Sequence, residues 1–223
     1  MNASSPSVLT IDIVSDVVCP WCYLGAKRLQ KAIAMRPAVS VQVNWRPFQL
    51  DTTIPAGGFD RQDYMLKKFG DTARIDAVHE RLSALGQDDG IVFHFERIKR
   101  APNTLDAHRL IRWAQVQGMQ NQQLQTAVAM RLFALYFTEG ADIGDHAVLR
   151  TVAQEAGMDA DSVAERLAGE WDKQEVVEEI GVATRIGVTG VPFFIIDGRF
   201  GVPGAQEAEV LAGAIDKALV PEA

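Results

Sequence analysis

The sequence predicts an α/β fold in which a small layer of strands and helices is interrupted by a long helical insertion. Three observations predict it. The first fifty residues read as strand, helix, strand; residues 51–181 have helical texture almost throughout; and after residue 181 the texture returns to strands and a last helix. The order β-α-β, helices, β-β-α fits one interrupted layer better than two sequential domains. The predicted boundaries are 8–50 and 182–219 for the α/β unit and 51–181 for the insertion.

Residues 1–7 read as a loose tail. Residues 8–14 (VLTIDIV) are rich in β-branched and apolar types, which marks a buried strand. Asp12 is an odd charge inside it, so it should face an edge or pair with a Lys or Arg. Residues 20–35 read as a helix with an apolar stripe at Leu24, Leu29 and Ile33, stopped by Arg36-Pro37. Residues 39–48 alternate, with Val39, Val41, Val43 and Trp45 on one side, as a second strand does. A strand–helix–strand unit of this kind is nearly always right-handed. Residues 51–58 (DTTIPAGG) are loop by composition.

Helical spacing then recurs at 64–69, 72–85, 104–116, 121–137, 145–155, 161–168 and 173–186. Gly86, Gly118, Gly140, Gly157 and Gly169 lie where helix ends favour glycine. Asn103, Asp145 and Asp159 or Asp161 are N-cap candidates. Residues 91–95 suggest a short extended piece. Residues 191–196 (VPFFII) read as a strand, Asp197-Gly198 as a hairpin turn, 199–202 as its partner and 205–219 as an amphipathic helix.

Composition bounds the function. The chain has 223 residues, 48% hydrophobic and 23% charged, so a disordered chain, a collagen-like repeat and a disulfide-dense scaffold are excluded. A chain of this length buries enough surface to fold without staples. With 22 basic and 29 acidic residues the net charge is −7, a poor match for nucleic acid or anionic lipid. No run approaches the roughly 18 apolar residues of a membrane span. Residues 1–7 carry neither the basic residue nor the apolar core of a secretory signal, so the expected location is cytoplasmic.

The chemistry is concentrated at Cys19-Pro20-Trp21-Cys22, at the first strand-to-helix junction. Two cysteines three apart on a helical turn bring their Cα atoms to about 5–6 Å, within disulfide range. Free N–H groups and the helix dipole stabilise a thiolate at a helix N-terminus, so Cys19 should be the accessible, low-pKa nucleophile. Cys22, one turn in, should be buried and should resolve a mixed disulfide. Pro20 suits a first turn because its missing N–H would have no partner. A structural zinc site takes four ligands, yet Cys19 and Cys22 are the only cysteines, and His79, His94, His108 and His146 are scattered. A structural disulfide closing so short a loop would restrain the unfolded chain little. Redox chemistry is the favoured reading, with no metal and no organic cofactor.

Gly187-Val188-Thr189-Gly190-Val191-Pro192-Phe193-Phe194 places a proline at the head of a buried strand, where it cannot join a full ladder. A cis Val191-Pro192 bond at a tight corner would leave the Val191 backbone free to pair with a substrate. A trans proline opening an edge strand is the plainer alternative.

Together these residues resemble the thioredoxin superfamily, in its DsbA-like branch. Residues 15–25 (SDVVCPWCYLG) closely resemble the FrnE-type dithiol oxidoreductases, and Gly190-Val191-Pro192-Phe193-Phe194 is similar to that family's cis-proline segment. Residues 102–110 (PNTLDAHRL) resemble a further family segment, which the resemblance puts at the start of an insertion helix beside the cleft. The resemblance spans nearly the whole chain and implies a thioredoxin-like fold interrupted by an all-helical insertion. It implies thiol–disulfide oxidoreductase or isomerase activity on protein or small-molecule thiols and disulfides, with glutathione among the candidates. Two departures bear on it. Some FrnE-type proteins carry a second cysteine pair near the C-terminus, which this chain lacks. The glutathione-transferase kappa and hydroxychromene-carboxylate isomerase branch usually has serine where Cys19 stands, so Cys19 favours dithiol chemistry.

The expected site is therefore Cys19 and Cys22 as catalytic residues, with Pro20, Trp21, Val191, Pro192 and His108 contacting the substrate. For His108 the alternative is a helix histidine satisfied by a neighbour. Asp16 reads as a loop or cap carboxylate in preference to a proton carrier for Cys22. Trp21 should be an exposed apolar contact, whereas Trp45, Trp113 and Trp171 should pack inside. Residues 130–137 (MRLFALYF) should form a buried helix wall, part of it beside the groove. The alternative functions are a glutathione-dependent transferase or isomerase on the same scaffold and a non-catalytic chaperone or binding module. The expected state is a monomer or homodimer without nucleic-acid or membrane partners.

Overall fold

The structure is a computed structural model, and it describes residues 8–118 and 123–220. The predicted tail at 1–7 and the predicted helix start at residue 121 lie outside these residues.

In chain order the elements are β1 (Leu9–Ser15), α1 (Pro20–Ala34), β2 (Val41–Pro47), β3 (Phe59–Asp60), α2 (Arg61–Phe69), α3 (Thr72–Asp88), a 3-10 turn (Phe95–Arg97) and β4 (Arg100–Ala101). Then come α4 (Leu105–Gln117), α5 (Leu124–Ala134), a π-helical turn (Leu135–Glu139) that continues it, α6 (His146–Glu155), α7 (Ala160–Ala168) and α8 (Lys173–Arg185). The hairpin β5 (Phe193–Ile196) and β6 (Phe200–Pro203) precedes α9 (Ala208–Leu219).

The main sheet has the order β2-β1-β5-β6. β1 runs parallel to β2, with Ile13 opposite Trp45, and antiparallel to β5, with Ile13 opposite Phe194. The hairpin turn is Asp197-Gly198, both with positive φ (54° and 66°), the backbone that an Asp-Gly pair adopts most readily. Alternation along β1 sends Ile11 and Ile13 into the main core with Phe194, Ile196 and the buried stripes of α1 and α9. Val14 points the other way, into a smaller cluster with Ala183 of α8 and Val188. Asp12 lies on that second side and is paired, as its position demands. Its Oδ1 accepts from Asn44 Nδ2 (3.0 Å) and Arg46 Nε (3.2 Å), and Arg46 also reaches Glu179 of α8 (3.1 Å).

The helical insertion is packed onto the sheet layer through one contiguous apolar cluster. Tyr23 of α1 stacks on Phe133 of α5 (centroids 5.2 Å apart) and meets Phe93 edge-on. Arg28 of α1, almost wholly buried, donates to Asp89 after α3 (2.7 Å) and to the carbonyl of Ala205 (2.8 Å), tying three segments together.

Most predicted helix starts coincide with real caps. Asp145 and Asp159 accept backbone N–H groups at the heads of α6 and α7, and Asp60 and Asp71 do the same for α2 and α3. At α4 the cap position is Thr104, while Asn103 Oδ1 accepts the Leu105 N–H (2.9 Å). Three expectations need correction. Residues 91–95 form no strand; the small extended pair is instead β3 with β4. Gly86 lies inside α3, and its role is close approach: a Cβ there would meet the Phe93 ring at 2.7 Å. Trp171 is exposed, because it sits in the turn before α8 and packs beside the Arg166 guanidinium (5.8 Å) on the surface.

Candidate active site

Strand β1 ends at Ser15, and a three-residue turn delivers Cys19 to the head of α1. The Cys19 N–H donates to the Asp16 carbonyl (2.9 Å), which closes that turn. Cys19 is the N-cap, with extended backbone (φ −95°, ψ 113°), and Pro20 is the first helical residue. The N–H groups of Cys22 and Tyr23 donate to the Cys19 carbonyl (3.0 and 3.3 Å), so the two cysteines share the first turn. Both are free thiols.

Their surroundings differ. Cys22 is fully enclosed, and burial pushes its thiol well above the ordinary range. The neighbouring Cys19 adds to that rise, while Ser15 and the Asp16 backbone oppose it. Cys22 is thus held as a neutral thiol. Cys19 is only 4% exposed, so it is less open than the sequence suggested. What it borders is a pocket of about 400 Å³ between the sheet layer and the insertion.

The loop before β5 faces the cysteines. Val191-Pro192 is a cis peptide, and the Val191 carbonyl accepts from Cys19 Sγ at 3.8 Å. Pro192 sits behind Val191 against α1, where a Cβ on Gly25 would lie 2.8 Å from Pro192 Cγ.

Of the expected substrate contacts, Pro20, Trp21 and Val191 border the pocket. Trp21 is half-buried, with the Arg81 guanidinium 5.6 Å from its ring centre. Pro192 is not part of the pocket wall. Nor is His108, and the sequence expectation for it is corrected. The first turn of α4 holds its ring inside the protein, where Nε2 donates to the Phe48 carbonyl (3.0 Å) and lies 3.6 Å from Asp16 Oδ1. His108 is therefore a histidine satisfied by its neighbours. Asp16 is a buried loop carboxylate, as expected, and its Oδ2 accepts the Leu50 N–H (2.8 Å).

The insertion supplies the opposite wall: Met65 and Phe69 of α2, Leu82 of α3, and Tyr136 of the π-helical turn, from the apolar run 130–137. Four polar side chains that the sequence reading passed over join them, namely Arg61, Lys68, His79 and Arg81. Their signal was present. Arg61, Tyr64, Met65 and Lys68 recur at i, i+3, i+4 and i+7, one face of α2 mixing charge with apolar surface. His79 stacks on Phe95 (4.0 Å), and its Nε2 is buried without a partner. Burial and the nearby Arg61 charge lower its pKa, so it is neutral at pH 7.

The sheet order, the paired cysteines at the head of α1, and the cis proline facing them agree with one family. The chain matches the DSBA-like thioredoxin domain over residues 10–216. It belongs to that family. A probable DsbA oxidoreductase from Streptomyces coelicolor is 31% identical, with a TM-score of 0.82 over 96% of this chain and 93% of that one. The protein YwbO of Bacillus subtilis is 28% identical over 206 residues, 92% of this chain and 94% of its own. The cytosolic disulfide reductase DsbM of Pseudomonas aeruginosa, solved with GSH, shares the fold at 19% identity (TM-score 0.60; 94% and 95% covered). Among the described residues of this DSBA-like chain no helix is long and apolar enough to cross a membrane.

Proposed function

We propose that this protein is a thiol–disulfide oxidoreductase of the FrnE type that works through the Cys19–Cys22 pair. The observation that carries the reading is the asymmetry of the two thiols. Cys22 is buried and kept protonated, while Cys19 caps the helix, borders the pocket and faces the Val191 carbonyl.

The Cys19 thiolate attacks one sulfur of a substrate disulfide; the S–S bond breaks and the other sulfur leaves as a thiolate that takes a proton. Cys22 then gives up its proton and attacks Cys19 Sγ, releasing the second substrate thiol and closing the Cys19–Cys22 disulfide. The same steps in reverse make the protein an oxidant, and a sequential use of both gives isomerisation. Val191 presents backbone to an extended substrate, and Pro20, Trp21 and Pro192 shape the surface around the sulfurs. Residues 8–50 and 182–219 carry this chemistry as the thioredoxin-like unit, with 51–181 as the insertion domain. A reducing, cytoplasmic setting belongs to the same reading.

The pocket beside Cys19 also favours a second reading, a glutathione-dependent transferase or isomerase. Cys19→Ser separates the two. Dithiol exchange should vanish in that variant, and a glutathione isomerase should survive it. The test is a redox titration of the Cys19–Cys22 pair against glutathione, with insulin reduction run in parallel. Undiminished exchange in Cys19→Ser overturns the proposal.

A further inference from the structure

The pocket has a chemical character of its own. Its walls near Cys19 are apolar: Val18, Trp21, Met65, Phe69, Leu82 and Val191. Three cations also line it, Arg61 half-buried and Lys68 and Arg81 exposed. Among the described residues none of the three has a carboxylate within ion-pair distance. Arg61 meets the Tyr136 hydroxyl (3.4 Å) and ring, Lys68 the Tyr64 hydroxyl (3.3 Å) and ring, and Arg81 stacks over Trp21.

That is unexpected in a chain where acidic residues outnumber basic ones by 29 to 22. The two carboxylates of the pocket are hydrogen-bonded to backbone and hydroxyl donors, and the Lys68 charge reaches Asp51 only from beyond ion-pair distance. Asp16 accepts the Leu50 N–H, and Asp51 accepts from the Thr53 N–H (2.9 Å) and hydroxyl (2.6 Å). Three cations that, among the described residues, have no carboxylate at ion-pair distance surround an apolar cavity and form an electrostatic complement to an anion carried on an apolar body. His79 adds an unpartnered Nε2 on the same wall.

We propose that the pocket selects small thiols or disulfides in which an apolar chain carries a terminal carboxylate, with Arg61, Lys68 and Arg81 receiving the anion while the sulfur meets Cys19. The proposal rests on the exchange reading above and names its substrate class. With the oxidised protein and a dithiol acid the step balances within the pair. A substrate thiolate attacks Cys19 Sγ, the Cys19–Cys22 bond breaks, and Cys22 leaves as a thiolate and is protonated. The second substrate sulfur, losing its proton, attacks the first, closing the substrate disulfide and freeing Cys19. Two electrons pass from substrate to protein, and two protons follow.

The experiment compares dihydrolipoate with its neutral amide as reductants of the oxidised full-length protein, with dithiothreitol and glutathione alongside. In parallel, calorimetry measures octanoate and octanamide binding to Cys19→Ser. The expected result is a rate preference for the acid of about fivefold or more at low ionic strength, shrinking as salt screens it. Octanoate should bind more tightly than octanamide by a similar factor. Both preferences should fall toward unity in Lys68→Gln and Arg81→Gln, and persist in Lys217→Gln, an exposed lysine of α9. Equal rates and equal binding for acid and amide overturn the proposal, as does a preference that survives Lys68→Gln and Arg81→Gln together. Faster reaction with glutathione than with dihydrolipoate overturns it in favour of a polar peptide thiol. Failure of every thiol, dithiothreitol included, removes the exchange reading itself, and the octanoate measurement then still reads the pocket.

Discussion

Gly25 offers a test in which two physical effects of opposite sign compete. It lies in the interior of α1, where replacing glycine by alanine ordinarily stabilises a helix by about 1 kcal/mol. Here a Cβ would stand 2.8 Å from Pro192 Cγ and 3.2 Å from Phe194 Cζ. Both atoms belong to the segment that faces Cys19, and the proline ring can move little without moving its backbone. Overpacking of this kind costs about 1–3 kcal/mol, so Gly25→Ala should be destabilising by about 1 kcal/mol net. For a chain of this size that lowers Tm by about 2–4 °C. The internal control is Gly213→Ala in α9, where an added Cβ meets nothing within 4 Å, so propensity acts alone and Tm should rise. The assay is thermal and urea unfolding of both variants, with the exchange rate measured beside them. Exchange should slow in Gly25→Ala, because Pro192 and Val191 must shift relative to Cys19, and should be unchanged in Gly213→Ala. If both variants gain stability equally, the close approach of α1 to Pro192 is not a constraint and the argument fails.

Three further outcomes are expected. Alkylation of the reduced protein near pH 6 should label Cys19 before Cys22, since Cys22 is buried and its thiol raised; labelling of Cys22 first would reverse the two roles. Arg28→Ala should cost about 2–3 kcal/mol in urea unfolding, less than a wholly uncompensated buried charge because Lys31 stays paired with Asp89, and a loss below about 1 kcal/mol would contradict that. Burial alone would raise the Asp89 carboxyl, but the hydrogen bonds and charges of Lys31 and Arg28 outweigh it and hold the pKa below its ordinary value. Its contribution to stability is therefore present above the unfolded value of about 3.9 and is lost as pH falls through the folded one. Asp89→Asn should flatten the acid limb of the stability curve, and parallel limbs in the two proteins would show that the pair does not act this way.

What the sequence made legible was local. The cysteine turn, the two arms of the sheet and the hairpin each announce themselves in a few adjacent residues, because strand alternation, a helix start and an Asp-Gly turn are properties of neighbours. The caps at Asp145 and Asp159 were readable for the same reason. What escaped depends on residues far apart in the chain. Gly86 resembles a helix end until Phe93 is folded back against it, and His108 resembles a cleft residue until the Phe48 carbonyl is placed beside its ring. Trp171 was expected inside on hydrophobicity alone, but a turn between two helices leaves it outside. The cations of the pocket were hidden because charge on a helix face ordinarily means solvent, and only the packing of α2 and α3 over Cys19 turns that face toward a cavity.

The parts that the proposed exchange uses lie within the sheet layer: the head of α1, the end of β1 beside Cys22, and the Val191 carbonyl. The pocket walls that would surround a substrate come mostly from residues 51–181, among them α2, α3 and the π-helical turn, which lie forty residues or more from Cys19 in sequence. The head of α1 would face solvent on the sheet layer alone. Under the insertion, Cys19 is 4% exposed and reached through the pocket. Substitutions along the Arg61–Lys68 face of α2 should therefore alter which thiols react with Cys19, while substitutions at Ser15, Cys22 or Val191 should alter how fast every thiol reacts. The first class should change relative rates between an anionic and a neutral dithiol and leave the reduction potential of the pair in place. The second should shift the potential, since it changes the stability of the Cys22 thiol against its disulfide. A measured potential that moves with Lys68→Gln but not with Ser15→Ala would reverse that assignment of labour.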